Sequence, residues 1–336
     1  MKSGRAGSAK TSRHTAWQCS ENRTFRKISK KFYYKDRKTY KVDTRLQKLI
    51  ANFAKMKKCL ILIAALIAML SASVEADAQI VTVDGQRFNS DSVRIEFDRG
   101  PYFGLYKDNY FIFGPPIGKR ITSENTNAKF QVSISQKLTK STLPWNTYLY
   151  LFYTQKVFWN VLEESLPMTD LNFNPGIGLC KPLFVKNRYI GKLTFQLEHE
   201  SNGRDSIQSR SWNRITFGAN IIVDANFSVH GKVWIPIIDG ENNKDILDYC
   251  GIYQVGTSYL STNKRWNASV VLVKRRGWNL SYNTIVELAY KLNNSQNQYL
   301  FLQYYNGYGE GLLEYNKFHS QLRVGIVIKP RLFSDY

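Results

Sequence analysis

The feature that most restricts the fold is a series of about twelve strand-length segments between residues 109 and 329. Several alternate cleanly, as where Leu322, Val324 and Ile326 are separated by polar or small residues. No segment with helical periodicity has a comparable length. The predicted strands are 109–113, 128–136, 146–156, 174–184, 190–199, 211–223, 226–236, 250–260, 266–274, 280–291, 297–305 and 320–329. Such a pattern predicts an all-β fold, a transmembrane antiparallel β-barrel of about 12 strands.

A soluble β-sandwich is the alternative interpretation of the same alternation. The polar faces of the predicted strands carry Gln, Glu, Arg, Lys and Asn, which suits the hydrated interior of a small barrel. Trp, Tyr and Phe are frequent at the strand ends, where interfacial aromatic girdles lie in membrane barrels. Both observations favour the barrel.

The N-terminal part of the chain carries an export signal. Residues 56–58 form a positive start, residues 59–70 are apolar, and Ala76-Asp77-Ala78 is a small-x-small cleavage pattern. We therefore expect a signal peptide at 56–78 and a non-native upstream extension at 1–55, with a basic nucleic-acid-binding arm as the rival interpretation of 1–55. Residues 79–108 are expected to form a periplasmic N-terminal segment, and 109–336 the barrel.

The net charge of +21 first suggests a nucleic-acid partner. Most of it lies outside the expected mature protein, because residues 1–55 hold 16 basic and 3 acidic residues. Residues 79–336 hold 29 basic and 21 acidic residues. We expect no nucleic-acid partner.

One predicted hairpin gathers residues with chemical potential. Alternation places His199 and Ser201 on the apolar face that begins at Leu193, and it places Asn213 on the apolar face of the returning strand. In an antiparallel hairpin centred near Ser206, His199 lies about opposite Asn213. His, Ser and Asn would then converge at the rim of an apolar wall.

Those three residue types can perform nucleophilic catalysis. A serine hydroxyl needs a base to remove its proton, and the base needs a third group to fix its tautomer. Ser201, His199 and Asn213 could fill these roles, while the backbone N–H groups of Asn202 and Gly203 could stabilise an oxyanion. Asn adds no negative charge, so a bound cation could supply further stabilisation. Alone, however, a His-x-Ser pattern on a strand is usually coincidental.

The hairpin residues 199–204 and 209–214 closely resemble the signature of the bacterial outer-membrane phospholipase A family. Further matches follow in the same order along the chain. They are residues 103–106 with Asn109-Tyr110, residues 153–156 with Trp159, Glu163-Glu164-Ser165, and residues 307–310 with Tyr315-Asn316.

The resemblance implies a calcium-dependent carboxylic ester hydrolase of the Gram-negative outer membrane, with phospholipid as its substrate. Its activities would be those of phospholipase A1, phospholipase A2 and lysophospholipase, with the active site at the outer leaflet and a homodimer as the active form. Carried over by resemblance, Ser201 is the nucleophile, His199 the general base and acid, Asn213 the residue that orients His199, and Gly203 an oxyanion donor. Calcium ligands would be the Arg204 backbone oxygen, Ser209, and Ser165 from the partner subunit, with Gln155 as a dimer contact.

The resemblance has departures. The chain has Glu200 where the family usually has Asp, and Ser206 where the family has an acid two residues after the arginine, with Asp205 one position early. A calcium site that depends on that acid is therefore not expected, whereas the site at the dimer interface is still expected. A non-enzymatic, porin-like or structural barrel is the alternative function. A disulfide between Cys180 and Cys250 is possible but not favoured, and His230 and His319 are expected to be structural or interfacial.

Overall fold

The computed structural model describes residues 82–83, 86–87, 90–141, 143–185, 188–238, 241–277, 279–293 and 297–330. The chain divides into two units, 1–78 and 79–336. The expected upstream extension at 1–55 and signal peptide at 56–78 lie outside the described residues and remain predictions.

Twelve long strands follow one another along the second unit. They are β1 (Asn109–Gly114), β2 (Asn127–Lys137), β3 (Tyr148–Trp159), β4 (Met168–Val185), β5 (Arg188–Ser201), β6 (Ser211–Ile222), β7 (Phe227–Ile237), β8 (Tyr253–Leu260), β9 (Trp266–Lys274), β10 (Tyr282–Lys291), β11 (Gln298–Gly307) and β12 (His319–Ile328). The predicted segments match these strands closely. The largest difference is at the start of β4, which begins at Met168 and not at the predicted position 174.

Every long strand pairs antiparallel with its neighbours in sequence, and β12 pairs with β1. The sheet is therefore a closed barrel, and closure removes the unpaired edges that an open sheet would have. A short strand, Phe103–Leu105, extends the pairing of β2 at one end. The prediction of an all-β, twelve-stranded antiparallel barrel is confirmed.

The connections at the two ends of the barrel differ. At one end, here called the long-loop end, residues 115–126, 160–167, 202–210, 238–252, 275–281 and 308–318 connect the strands. At the other end, the short-turn end, the chain passes from β2 to β3, from β4 to β5, from β6 to β7, from β8 to β9 and from β10 to β11. The His199 hairpin closes through 202–210, so the residues of interest lie at the long-loop end.

Alternation along each strand separates the two faces of the wall. In β5 the side chains of Thr194, Gln196 and Glu198 are buried in the interior, whereas Leu193 and Leu197 are exposed on the exterior. A water-soluble fold places its apolar side chains inside, and this barrel places many of them outside. The exterior is therefore suited to lipid.

A helix, α1 (Ser90–Arg99), precedes the barrel. Its Phe97 is fully buried in an aromatic cluster with Tyr148, Tyr150 and Tyr189 at the short-turn end. The sequence did not predict this helix, because residues 79–108 show little sustained periodicity. In the loop 238–252 a second, shorter helix, α2 (Ile246–Cys250), occurs. None of the helices in the described ranges is long and apolar enough to cross a membrane.

Charged groups meet in the barrel interior. Glu310, from the loop 308–318, accepts hydrogen bonds from Lys129 Nζ at 3.0 Å and from Arg323 Nη1 at 2.6 Å. All three residues are buried. A cavity of about 270 Å³, lined by charged, amide and apolar side chains, lies beside Lys129 and Glu310. Direct hydrogen bonds between charged side chains thus join the loop 308–318 to the barrel wall in the interior.

Candidate active site

The predicted hairpin register is confirmed. His199 pairs with Asn213, and Leu197 pairs with Ile215. The Asn202 N–H donates to the Arg210 carbonyl. The even-numbered residues of β5 therefore direct their backbone N–H and C=O groups toward β6. His199 is odd-numbered, so its backbone groups are directed away from β6. It therefore forms a non-hydrogen-bonded pair with Asn213. Side chains approach most closely in pairs of this kind.

Their side chains do meet. His199 Nδ1 lies 2.8 Å from Asn213 Oδ1. Because an amide oxygen can only accept, His199 Nδ1 carries the proton in this contact. The other ring nitrogen, Nε2, is then the unprotonated one in the neutral imidazole, and it is available as a base.

Ser201 lies two residues farther along the same exterior face of β5. It pairs with Phe173 on one side and Ser211 on the other, and it is half-buried. The structure places Ser201 beside the His199–Asn213 pair, but among the described residues no hydrogen bond joins its hydroxyl to His199. Catalytic hydrogen bonds are often long before substrate binds.

The side chain of Asn202 organises the loop that follows Ser201. Its amide nitrogen donates to the Gln208 carbonyl at 2.8 Å, and its amide oxygen accepts from the N–H groups of Arg204 at 3.3 Å and Arg210 at 3.0 Å. Asn202 is buried. Sequence reasoning missed this role, although an Asn that follows a strand is a recognised signal for a side chain that bonds a turn.

The expected oxyanion donors differ in their availability. The Asn202 N–H is occupied by the Arg210 carbonyl, which corrects the expectation that it could serve as a donor. Gly203 has φ +63°, and a Cβ at this position would lie 2.8 Å from the Phe173 ring. The Gly203 N–H is the remaining candidate donor beside Ser201.

A charged network lies directly behind the pair, on the interior face of the same strands. Arg214 Nη2 is 3.1 Å from Glu198 Oε2, and Arg214 Nη1 is 2.9 Å from Glu200 Oε2. The Arg214 guanidinium lies 4.2 Å from the centroid of the Trp212 ring. The Glu200 side chain faces the interior, where it pairs with Arg214. These interior residues alternate with the exterior ones along β5 and β6. Their ion pairs join the two strands and so stabilise the backbone that carries His199.

The expected calcium ligands occupy two loops of the long-loop end. Arg204 is half-buried, and its guanidinium donates to the Thr169 carbonyl at 2.7 Å and to Gln208 Oε1 at 2.6 Å. Ser209 is half-buried, and Ser165 is exposed on the loop 160–167. In the part of the chain that is described, no three His, Cys, Asp or Glu side chains come together as a metal cluster.

Gln155 lies on the exterior face of β3, paired with Val132 and Phe173. Val132 is exposed on the same face, so the Gln155 side chain lies on the exterior and not inside the barrel. The Tyr153 hydroxyl donates to Gln155 Oε1 at 3.1 Å. Because Phe173 also pairs with Ser201, Gln155 and Ser201 lie in one row across β3, β4 and β5.

Two cysteines and two further histidines lie apart from this site. Cys180 and Cys250 are not joined in a disulfide. Burial raises the pKa of the Cys250 thiol to about 12. His230 is buried in β7, and His319 begins β12.

Comparison with known proteins gives consistent matches. The sequence model of the family described as Phospholipase A1 matches residues 109–328. Phospholipase A1 of Proteus vulgaris is 30% identical over 241 residues, which cover 66% of this chain and 78% of that protein. Phospholipase A1 of Escherichia coli K12 is 31% identical over 212 residues, which cover 60% of this chain and 68% of that protein.

Solved structures of outer membrane phospholipases resemble the barrel. The dimer from Salmonella typhi with bound calcium has a TM-score of 0.61 at 27% identity, over 70% of this chain and 96% of that chain. An active-site mutant of the Escherichia coli enzyme, in which an asparagine is replaced by alanine, has a TM-score of 0.60 at 26% identity, over 72% of this chain and 97% of that chain.

Proposed function

Because the chain belongs to the phospholipase A1 family of ester hydrolases, outer-membrane β-barrels of Gram-negative bacteria, we propose that it is a calcium-dependent phospholipase A. It would hydrolyse acyl ester bonds of phospholipids, with A1, A2 and lysophospholipase activities, at the outer leaflet. The observation that carries this proposal is the 2.8 Å contact between His199 and Asn213 on the exterior face, beside Ser201. A catalytic set that faces lipid suits a substrate that stays in the membrane.

The chemistry follows from the three side chains. Ser201 Oγ attacks the acyl carbonyl carbon while His199 Nε2 removes the hydroxyl proton. The tetrahedral oxyanion accepts a hydrogen bond from the Gly203 N–H. His199 then donates its proton to the departing lysophospholipid oxygen, and water, deprotonated by His199, releases the fatty acid from Ser201. Asn213 keeps the proton of the neutral ring on Nδ1, and the Escherichia coli relative also has an asparagine in its active site.

The position in the barrel agrees with this chemistry. Outer-membrane barrels place their longer loops outside the cell and their shorter turns in the periplasm. His199 and Ser201 lie at the end of β5, where the strand meets the loop 202–210. Exposed Leu197 and Phe217 lie farther from the loop on the exterior. The scissile ester of a phospholipid lies at a matching depth, between head group and acyl chains.

The candidate metal ligands fit calcium in their chemistry. Hydroxyl and carbonyl oxygens are the hard, neutral ligands that Ca²⁺ accepts, and a set without carboxylates binds it weakly. The side-chain hydrogen bonds of Arg204 fix the loop that carries its carbonyl. Bound calcium would supply positive charge near the oxyanion. Ser165 would complete the site from a second copy, and Gln155 would contact that copy. The Salmonella typhi relative is a dimer with bound calcium.

A porin-like barrel is the competing function, and it requires a wide open interior. Glu310, Lys129 and Arg323 form direct hydrogen bonds inside the barrel, which favours the enzyme. Rapid passage of a small neutral sugar into liposomes that contain the purified protein, without release of fatty acid, would favour the channel instead.

The nucleophile is tested by Ser201→Ala. We expect a folded barrel whose release of fatty acid from mixed phospholipid and detergent micelles falls by on the order of 10⁴-fold or more. Ser211→Ala is the matched control, because Ser211 pairs with Ser201 on the neighbouring strand. Undiminished activity in Ser201→Ala would exclude this residue as the nucleophile.

The metal is tested in the same assay by chelation and by Ser209→Ala. A calcium chelator should abolish the activity, and added Ca²⁺ should restore it. Ser209→Ala should raise the Ca²⁺ concentration that gives half-maximal activity, whereas Ser206→Ala, in the same loop, should leave it unchanged. Full activity in chelator would contradict the calcium requirement.

A further inference from the structure

A proline interrupts the strand ladder directly beside His199. The described strands β4 and β5 pair at Phe173 with Ser201 and at Gly176 with Glu198, but the two positions between these pairs are not paired. Pro175 occupies one of them, opposite His199. The even-numbered residues of β5 direct their backbone groups toward β6, so the odd-numbered His199 directs its N–H and C=O toward β4. Proline has no N–H, so the His199 carbonyl lacks the donor that the ladder would otherwise provide.

The neighbouring Asn174 supplies a donor from its side chain. Asn174 Nδ2 donates to the His199 carbonyl at 2.8 Å and to Glu198 Oε2 at 3.2 Å. Asn174 is buried. The Glu198 carboxylate is itself held by Arg214 at 3.1 Å and by the Thr216 hydroxyl at 2.5 Å. The side-chain amide of Asn174 thus joins the His199 backbone to the Glu198 carboxylate, which other hydrogen bonds already hold in place.

We propose that Asn174 is a positioning residue for the reaction, acting through the backbone of His199. The inference rests on the proposed function, in which His199 moves the proton. With Pro175 opposite, loss of the Asn174 amide leaves the His199 carbonyl without this donor from β4. The strand can then shift, and the imidazole moves relative to Ser201. Displacements of about 1 Å near a catalytic group can cost on the order of 10²-fold in rate.

The experiment is a double-mutant cycle at Asn174 and Pro175, read as kcat and KM for phospholipid in mixed micelles with saturating Ca²⁺. Asn174→Ala should lower kcat roughly 10- to 100-fold with KM nearly unchanged. Pro175→Val alone should retain activity, since Asn174 still bonds the carbonyl. The double variant should recover most of the lost kcat, because valine restores a backbone N–H opposite His199. Asn172→Ala is the matched control, since Asn172 lies on the same strand and accepts from the Leu312 N–H.

A second readout does not depend on turnover. Hydrogen exchange of the peptide that spans residues 197–203 should rise in Asn174→Ala and return toward the wild-type rate in the double variant. Wild-type kcat and exchange in Asn174→Ala would overturn the inference, and so would a failure of Pro175→Val to rescue the single variant. If the wild-type protein hydrolyses no phospholipid, the proposed function fails, while the exchange measurement still decides whether Asn174 holds the His199 backbone.

Discussion

Gly203 has a backbone geometry that a residue with a side chain adopts only at a cost. Its φ is +63°, and a Cβ would lie 2.8 Å from Cε2 of Phe173. The left-handed conformation costs an ordinary residue roughly 1–2 kcal/mol. The glycine therefore allows the loop to turn tightly against Phe173 directly after Ser201, where its N–H can serve the proposed oxyanion.

Gly203→Ala should displace that N–H without unfolding the barrel. We expect kcat to fall at least roughly tenfold with little change in KM, because the hydrogen bond forms mainly in the transition state. The check is the micelle assay, with Gly104→Ala as control, since a Cβ at Gly104 meets no atom within 4 Å. Wild-type kcat in Gly203→Ala would remove this residue from the oxyanion role.

The contact between His199 and Asn213 was predictable from sequence, because strand alternation and the position of the hairpin turn fix which residues face each other. The hydrogen bond from Asn174 to the His199 carbonyl was not. It depends on the register between β4 and β5, which sets Pro175 opposite His199, and on the absence of an N–H at that proline. The expectation for the Asn202 N–H was wrong because the hairpin pairing that places His199 opposite Asn213 continues one step past β5, where the Arg210 carbonyl accepts from this N–H.

Helix α1 shows why local pattern fails where distant contacts decide. Its exposed Ile95 and charged residues give no clean apolar stripe, so its sequence does not indicate a helix. Contacts with the barrel fix it instead. Lys137 Nζ donates to the carbonyls of Phe97 at 2.5 Å and Gly100 at 3.2 Å, at the C-terminal end of the helix. A cation at that end also meets the negative pole of the helix dipole.

The attachment of α1 should depend on pH through Asp98. Burial would raise the pKa of Asp98, but hydrogen bonds from the N–H and hydroxyl of Ser141 and from the Tyr148 hydroxyl hold it below its ordinary value. A depressed pKa means that the carboxylate stabilises the attachment above the unfolded value, about 3.9. This contribution is lost as the pH falls from there through the lower pKa of the folded state.

Hydrogen exchange of the peptide that spans residues 90–99, corrected for the intrinsic rate, measures this. Protection should be constant from pH 7 to about pH 4 and should fall at lower pH. Asp98→Asn should reduce protection at pH 7 and should lose the dependence on pH. Equal protection at pH 7 and pH 3 in the wild-type protein would show that the carboxylate does not hold the helix.

The barrel as a whole combines a wall predictable from sequence with an interior that is not. Each strand carries its own alternation, so the number and order of the strands could be predicted residue by residue. The interior pairs join residues far apart in the chain, such as Lys129 with Glu310, and no local pattern aligns them. Glu310 comes from a loop and joins two interior cations of the wall.

Glu310→Ala should therefore weaken the whole barrel. Burial alone would raise the pKa of Glu310, but the Arg323 guanidinium and the Lys129 ammonium hold it well below its usual range, so the carboxylate is charged at neutral pH. Its removal leaves two buried cations without their shared partner, and breaking a buried pair in this way costs about 3–5 kcal/mol. Glu314→Ala, in the same loop, removes an exposed pair with Lys317 and should cost about 0–1 kcal/mol. Denaturant unfolding in detergent micelles, followed by tryptophan fluorescence, measures both. Equal unfolding midpoints for the two variants would show that the interior network does not hold the barrel together.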